Sequence, residues 1–182
     1  MSLGIVIKGP EGLVLAAESR ITLTADEAGN KIPVSFDNAT KLISFSEPNS
    51  SVGVVSYGLA AIGLRTPHSF LPEFESQLSD ERLKIKEFTQ KLSDFYMEQW
   101  KNSEMPRDYS GPPMSFVVAG FDEGEPYGKV FLFEIPYQPV PEQRNPGENE
   151  FGITWGGQRE IVDRLIMGLD PNLAEYLNKK NM

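Results

Sequence analysis

The order in which the hydrophobic period changes along this chain constrains its fold more than any single motif. Gly4-Ile5-Val6-Ile7-Lys8 is β-branched and apolar, Gly9-Pro10-Glu11-Gly12 is dense in turn residues, and Leu13-Val14-Leu15-Ala16-Ala17-Glu18 resumes as a strand. This predicts an antiparallel hairpin at the start. Residues 24–37 read as a loop or a second hairpin tip, and strands are expected at 41–45 and 52–56, separated by the Pro48-Asn49 turn signal. Residues 59–78, interrupted by Gly63, Pro67 and Pro72, predict one kinked helix or two short ones. Ile85, Phe88, Leu92, Phe95 and Tyr96 then recur at helical spacing behind a Ser79-Asp80 cap, which predicts a helix ending near Trp100. After the loop at 105–113, a hairpin at 115–135 turns at Asp122-Glu123-Gly124-Glu125-Pro126. Residues 136–149 read as a long polar loop, 151–154 as a short strand turning at Trp155-Gly156-Gly157, and 158–167 and 172–179 as helices, with Gly168 and Asp170-Pro171 at their ends. Strands, helices, strands, helices is the order of an α+β layered domain rather than of βαβ winding.

Composition prunes the chemistry. The chain has 182 residues, a length suited to one domain over 1–182. It carries 17 Lys+Arg against 26 Asp+Glu, a net charge of −9, so no electrostatic footprint for nucleic acid or an anionic membrane is present. With no cysteine there is no disulfide, thiol nucleophile or thiolate metal site, and a reducing cytoplasmic setting is expected. No uncharged run approaches the roughly 20 residues of a membrane span. The one histidine, His68, sits in Thr66-Pro67-His68-Ser69, which reads as a surface helix start capped by Thr66. Acyl-transfer chemistry would therefore need a base other than imidazole. No metal and no cofactor are expected.

Several short motifs occur in a telling order. Gly4-Ile5-Val6-Ile7-Lys8, then Leu15-Ala16-Ala17-Glu18-Ser19-Arg20 with Thr22, then Thr40-Lys41-Leu42, then Tyr57-Gly58-Leu59, together resemble the proteasome β-subunit family of N-terminal-nucleophile (Ntn) hydrolases. The 115–135 hairpin and the Trp155-Gly156-Gly157 turn extend the likeness over residues 4–168. The resemblance implies a four-layer αββα sandwich with antiparallel sheets, cleaving peptide bonds through an acyl-enzyme. It implies Lys41 and Glu18 as catalytic groups, Glu18 standing where the family more often has Asp. It further implies Gly58 as oxyanion donor, and Arg20 and Thr22 along the substrate groove. Lys31, in the turn-like Asn30-Lys31-Ile32-Pro33, is the competing lysine.

The physics needs no histidine, because a hydroxyl at the chain start can pass its proton to the adjacent α-amino group, whose pKa lies near 7.7–8.0. The family places its nucleophile four residues before the glycine that is Gly4, just ahead of Met1. Removal of Met1 exposes Ser2, an adequate hydroxyl expected roughly 6–7 Å out of register. The family also continues beyond the Asp170-Pro171 helix with further strands and an Asp and a Ser near the amino terminus, so by this comparison the chain is short at both ends. The partners implied are a peptide or amide substrate and further copies of the chain, as a ring or dimer. Phe70, Leu71, Phe74 and Leu78 offer a shared apolar surface, or else ordinary core packing within one subunit. Two alternatives share the fold: a non-catalytic ring subunit, and an Ntn amidohydrolase acting on a small amide.

Overall fold

A computed structural model describes residues 2–27, 30–147, 149–168 and 170–180. Its strands are β1 (Leu3–Gly9), β2 (Gly12–Ala17), β3 (Ile21–Glu27), β4 (Asn30–Phe36), β5 (Leu42–Ser44), β6 (Val52–Gly58), β7 (Met114–Gly120), β8 (Lys129–Ile135), β9 (Gln138–Arg144) and β10 (Gly152–Gly157). Its helices are α1 (Leu71–Glu75), α2 (Ile85–Asn102), α3 (Arg159–Met167) and α4 (Pro171–Lys179), with a 3₁₀ turn, Pro67–Phe70, leading into α1. Every strand pairing among the described residues is antiparallel, so the fold is α+β.

The first hairpin forms as its turn residues dictate, with Gly9 opposite Gly12 and Gly4 opposite Ala17. β1 is flanked on its other side by β10, giving the order β10-β1-β2. The second sheet runs β5-β6-β7-β8-β9, and β3 and β4 form a separate two-stranded arm. Residues 24–27 and 30–36 are thus strand, and residues 28–29 lie outside the described residues. Lys31 falls on β4, and its side chain lies outside the described residues.

The five-stranded sheet separates two cores, because successive side chains point to opposite faces. Val54, Phe116, Val118, Phe131 and Phe133 face α2, whose Ile85, Phe88, Leu92, Phe95 and Tyr96 complete a ring-rich core. Val55, Val117, Ala119 and Val130 face the first sheet, meeting Val6, Leu13 and Leu15. α3 touches β10 and α4.

Several expectations need correction. Phe70, Leu71 and Phe74 are buried in the α2-side core, with Leu78 packed against it, so they offer no shared surface. Tertiary burial overrides the two prolines because the segment breaks into a 3₁₀ turn and a single short helix. Thr66 precedes that turn, but its side chain makes no capping hydrogen bond. α2 starts at Ile85 rather than behind Ser79-Asp80, and its first N–H donates to Asp122 Oδ1 at 2.6 Å. Residues 136–149 contain a strand, β9, where a loop is expected: Pro139 and Pro141 lie on the outer strand of the sheet, where a missing N–H costs least. β10 runs through Trp155-Gly156-Gly157 instead of turning there.

Candidate active site

Lys41 immediately precedes β5 and is only 6% exposed, although it carries an ammonium group. A buried ammonium must have its donors satisfied, and it has three. One goes to Glu18 Oε1, one to the Arg20 carbonyl and one to Ser2 Oγ at 3.3 Å. Glu18 stands one residue past β2, and its second carboxylate oxygen accepts the Arg20 N–H. The turn from β2 into the β3–β4 arm therefore builds the socket that holds the lysine, and the socket aims one N–H at the Ser2 hydroxyl.

The chain start is pinned from both sides. Leu3 pairs with Gly157 and its carbonyl accepts the Glu18 N–H at 3.2 Å. The Ser2 carbonyl accepts the Gln158 N–H. Gly157 has φ +87°, and a Cβ there would collide with the Ser2 carbonyl, so the close approach requires glycine. The Ser2 hydroxyl stands within hydrogen-bond reach of the Lys41 ammonium, 3.3 Å away.

Two cavities open at this point. One, of about 10 Å³, lies among Ser2, Lys41, Ser56 and Gly58. The other, a groove of about 350 Å³, is lined by Ser2, Glu18, Arg20, Asp37 and Gln158. Gly58 has φ +87°, and a Cβ there would strike the Pro113 carbonyl. Arg20 extends to Asp37, with Nε 2.6 Å from Oδ1; this exposed pair holds the Asp37 carboxyl below its ordinary range. Thr22 lines neither cavity, and its hydroxyl meets Ser35 Oγ at 3.0 Å on the arm.

The structure thus brings Ser2, Lys41, Glu18, Gly58 and Arg20 together around the chain start and leaves Thr22 on the arm. Sequence reasoning missed the Arg20 carbonyl, Gln158 and Gly157. Only the Gly156-Gly157 pair gave a signal, and it was assigned to a turn.

No protein-family model and no curated protein matches the chain. Solved structures do. A mutant Anbu from Hyphomicrobium sp. strain MC1 superposes with a TM-score of 0.61 at 16% identity, covering 93% of this chain and 65% of that one. Another Anbu structure from the same strain gives 0.59 at 16%, covering 92% and 65%. Anbu from Yersinia bercovieri, described as an ancestral β-subunit, gives 0.56 at 18%, covering 90% and 65%. The chain spans about 65% of the length of these relatives in structure. Identities this low speak for fold and not for chemistry: the architecture is that of the Anbu structures.

Proposed function

We propose that this chain is a proteasome β-type Ntn hydrolase that cleaves peptide bonds with Ser2 as nucleophile once Met1 is removed. The observation that carries the reading is the Lys41 ammonium, held by Glu18 and the Arg20 carbonyl, with its remaining donor on Ser2 Oγ at 3.3 Å. A cation at that distance favours the ionised hydroxyl. The freed α-amino group takes the Oγ proton as Oγ bonds to the scissile carbonyl carbon. The Gly58 N–H stabilises the oxyanion. Collapse breaks the C–N bond, and the ammonium returns its proton to the departing amine. Water then adds to the ester carbonyl, giving one proton to the α-amino group. Oγ leaves and recovers that proton, releasing the acid. The 10 Å³ space beside Ser2 matches the room a single water needs.

Arg20 lies along the groove in which the substrate would rest, and Thr22 would reach it only at the arm. We place α3 and α4 as the fourth layer of an αββα sandwich formed by one domain. Their exposed Ile161, Leu165, Ile166, Leu173 and Tyr176 support self-association, as a ring or dimer, better than the buried Phe70 and Phe74 do. No described helix is long and apolar enough to cross a membrane, and a cytoplasmic setting fits the absence of cysteine.

The test is hydrolysis of a panel of fluorogenic peptides by protein that begins at Ser2. Turnover that disappears in both Ser2→Ala and Lys41→Ala, with the fold retained, is the expected result. Equal turnover in Ser2→Ala overturns the proposal.

A further inference from the structure

A cavity larger than either of those beside Ser2 opens elsewhere in the molecule. It has a volume of about 690 Å³ and lies where the three-stranded sheet ends at β10 while the five-stranded sheet continues through β8 and β9. That size is typical of small-molecule sites, roughly 300–1,000 Å³. Its walls combine the apolar and aromatic surfaces of Leu132, Ile153, Tyr57 and Trp155 with two guanidinium groups, Arg144 and Arg159.

The charges are arranged unevenly. Glu134, the one carboxylate in the wall, is engaged by the Ser115 hydroxyl at 2.8 Å. Arg144 reaches the exposed Glu142 with Nη1 at 3.2 Å, yet its Nε is buried without a hydrogen-bond partner. A buried guanidinium N–H left unpaired is costly, so an acceptor is called for at that point. Arg159 lies over the Trp155 ring, 5.6 Å from its centroid. It meets Asp163 only at 3.8 Å, because that carboxylate already accepts the Trp155 indole N–H at 2.8 Å. Both guanidinium groups line the same cavity. Burial and Glu134 push the Tyr57 hydroxyl above its ordinary range, while the Ser115 bond, Arg144 and Arg159 pull the other way. The Tyr57 ring packs so closely on Gly156 that any Cβ there would collide with it, which fixes the phenol in the cavity wall.

We propose that this cavity binds a small aromatic carboxylate, its anionic end taken by Arg144 and Arg159 and its ring lying against Tyr57 and Leu132. Planar guanidinium donors suit a carboxylate, and they stand here in a chain of net charge −9. The site does not depend on the chemistry assigned to Ser2, although Tyr57 and Gly58 line both this cavity and the small one beside Lys41.

The test is calorimetric titration of the full chain with 2-naphthoate and with its neutral counterpart 2-naphthamide. Saturable 1:1 binding of naphthoate is expected, weakened roughly tenfold or more by Arg144→Gln, by Arg159→Gln and by replacing the carboxylate with the amide. Leu64→Ser, at a fully exposed position outside the cavity lining, should leave binding unchanged. Arg159 is 59% exposed in its side chain, so Arg159→Gln remains informative even if Arg144→Gln fails to fold. Absence of saturable binding, equal binding of the amide, or full affinity in Arg159→Gln overturns the proposal.

Discussion

The two faces of the five-stranded sheet are packed in contrasting ways. Toward α2 the core is built from interlocking rings: Phe45 and Phe88 meet at 4.8 Å, Tyr96 and Phe116 at 4.4 Å, Phe116 and Phe133 at 4.8 Å. Toward the first sheet the contact is made by Val6, Val55, Val117, Ala119 and Val130, and its edges open into the groove at Ser2 and the cavity at Trp155. One face is thick and closed, the other thin and open at its margins. Rigidity is supplied on the side away from the candidate chemistry, which leaves the chain start, the lysine socket and the cavity at the borders of the thinner core, where ligands can enter.

Truncation should separate the faces most sharply. Phe116→Ala, opening a void among stacked rings, is expected to cost about 3–5 kcal/mol in denaturant unfolding, whereas Val55→Ala on the opposite face should cost about 2 kcal/mol or less. Equal losses would erase the distinction. Lys41→Ala probes the open border: turnover should fall by about 10²-fold or more, against a modest change in melting temperature.

Asp122 joins the two descriptions, since it receives the first N–H of α2 and pairs with Lys129 at 2.7 Å. Burial pushes its carboxyl up, but the bonds from Lys129 and the Ile85 N–H outweigh this and leave it below its ordinary range. A carboxylate lowered in the folded state stabilises in full above its unfolded pKa, near 3.9, and the contribution is lost as pH falls through the folded value. Asp122→Asn should therefore be less stable than the parent at pH 7 by about 1–3 kcal/mol in denaturant unfolding, with the gap narrowing as the solution is acidified below about pH 4. A gap independent of pH would remove the charge from the account. The smallest effect is expected at the arm: Arg20→Gln breaks an exposed, solvent-screened pair and should leave the denaturant midpoint essentially unchanged.

Much of the closed face was legible in the sequence, because the 85–96 stripe and the 115–135 hairpin are strongly periodic and their period dictates which side is buried. The first hairpin was equally plain from its turn residues. What escaped depended on distant partners. The cap of α2 comes from Asp122, 37 residues away, while Ser79 and Asp80 only look like one locally. β9 was hidden by prolines that an outer strand tolerates. Phe70 and Phe74 read as either shared surface or core, because the contacts that bury them come from α2 and from Phe45. In the candidate site, the approach of Lys41 to Glu18 was legible by motif order. The position of Ser2 was not, since it is set by Gly157 and Gln158 at the far end of the chain.

The central claim is that Ser2 is a nucleophile activated by the Lys41–Glu18 pair. Its most direct test is mass spectrometry of protein beginning at Ser2 after treatment with an electrophilic β-lactone. The account predicts one acyl adduct, mapped to the Ser2 hydroxyl, greatly slowed in Lys41→Ala and absent when Met1 is retained. An adduct on another residue, or labelling of Ser2 that is indifferent to both Lys41 and the free amino group, would contradict it.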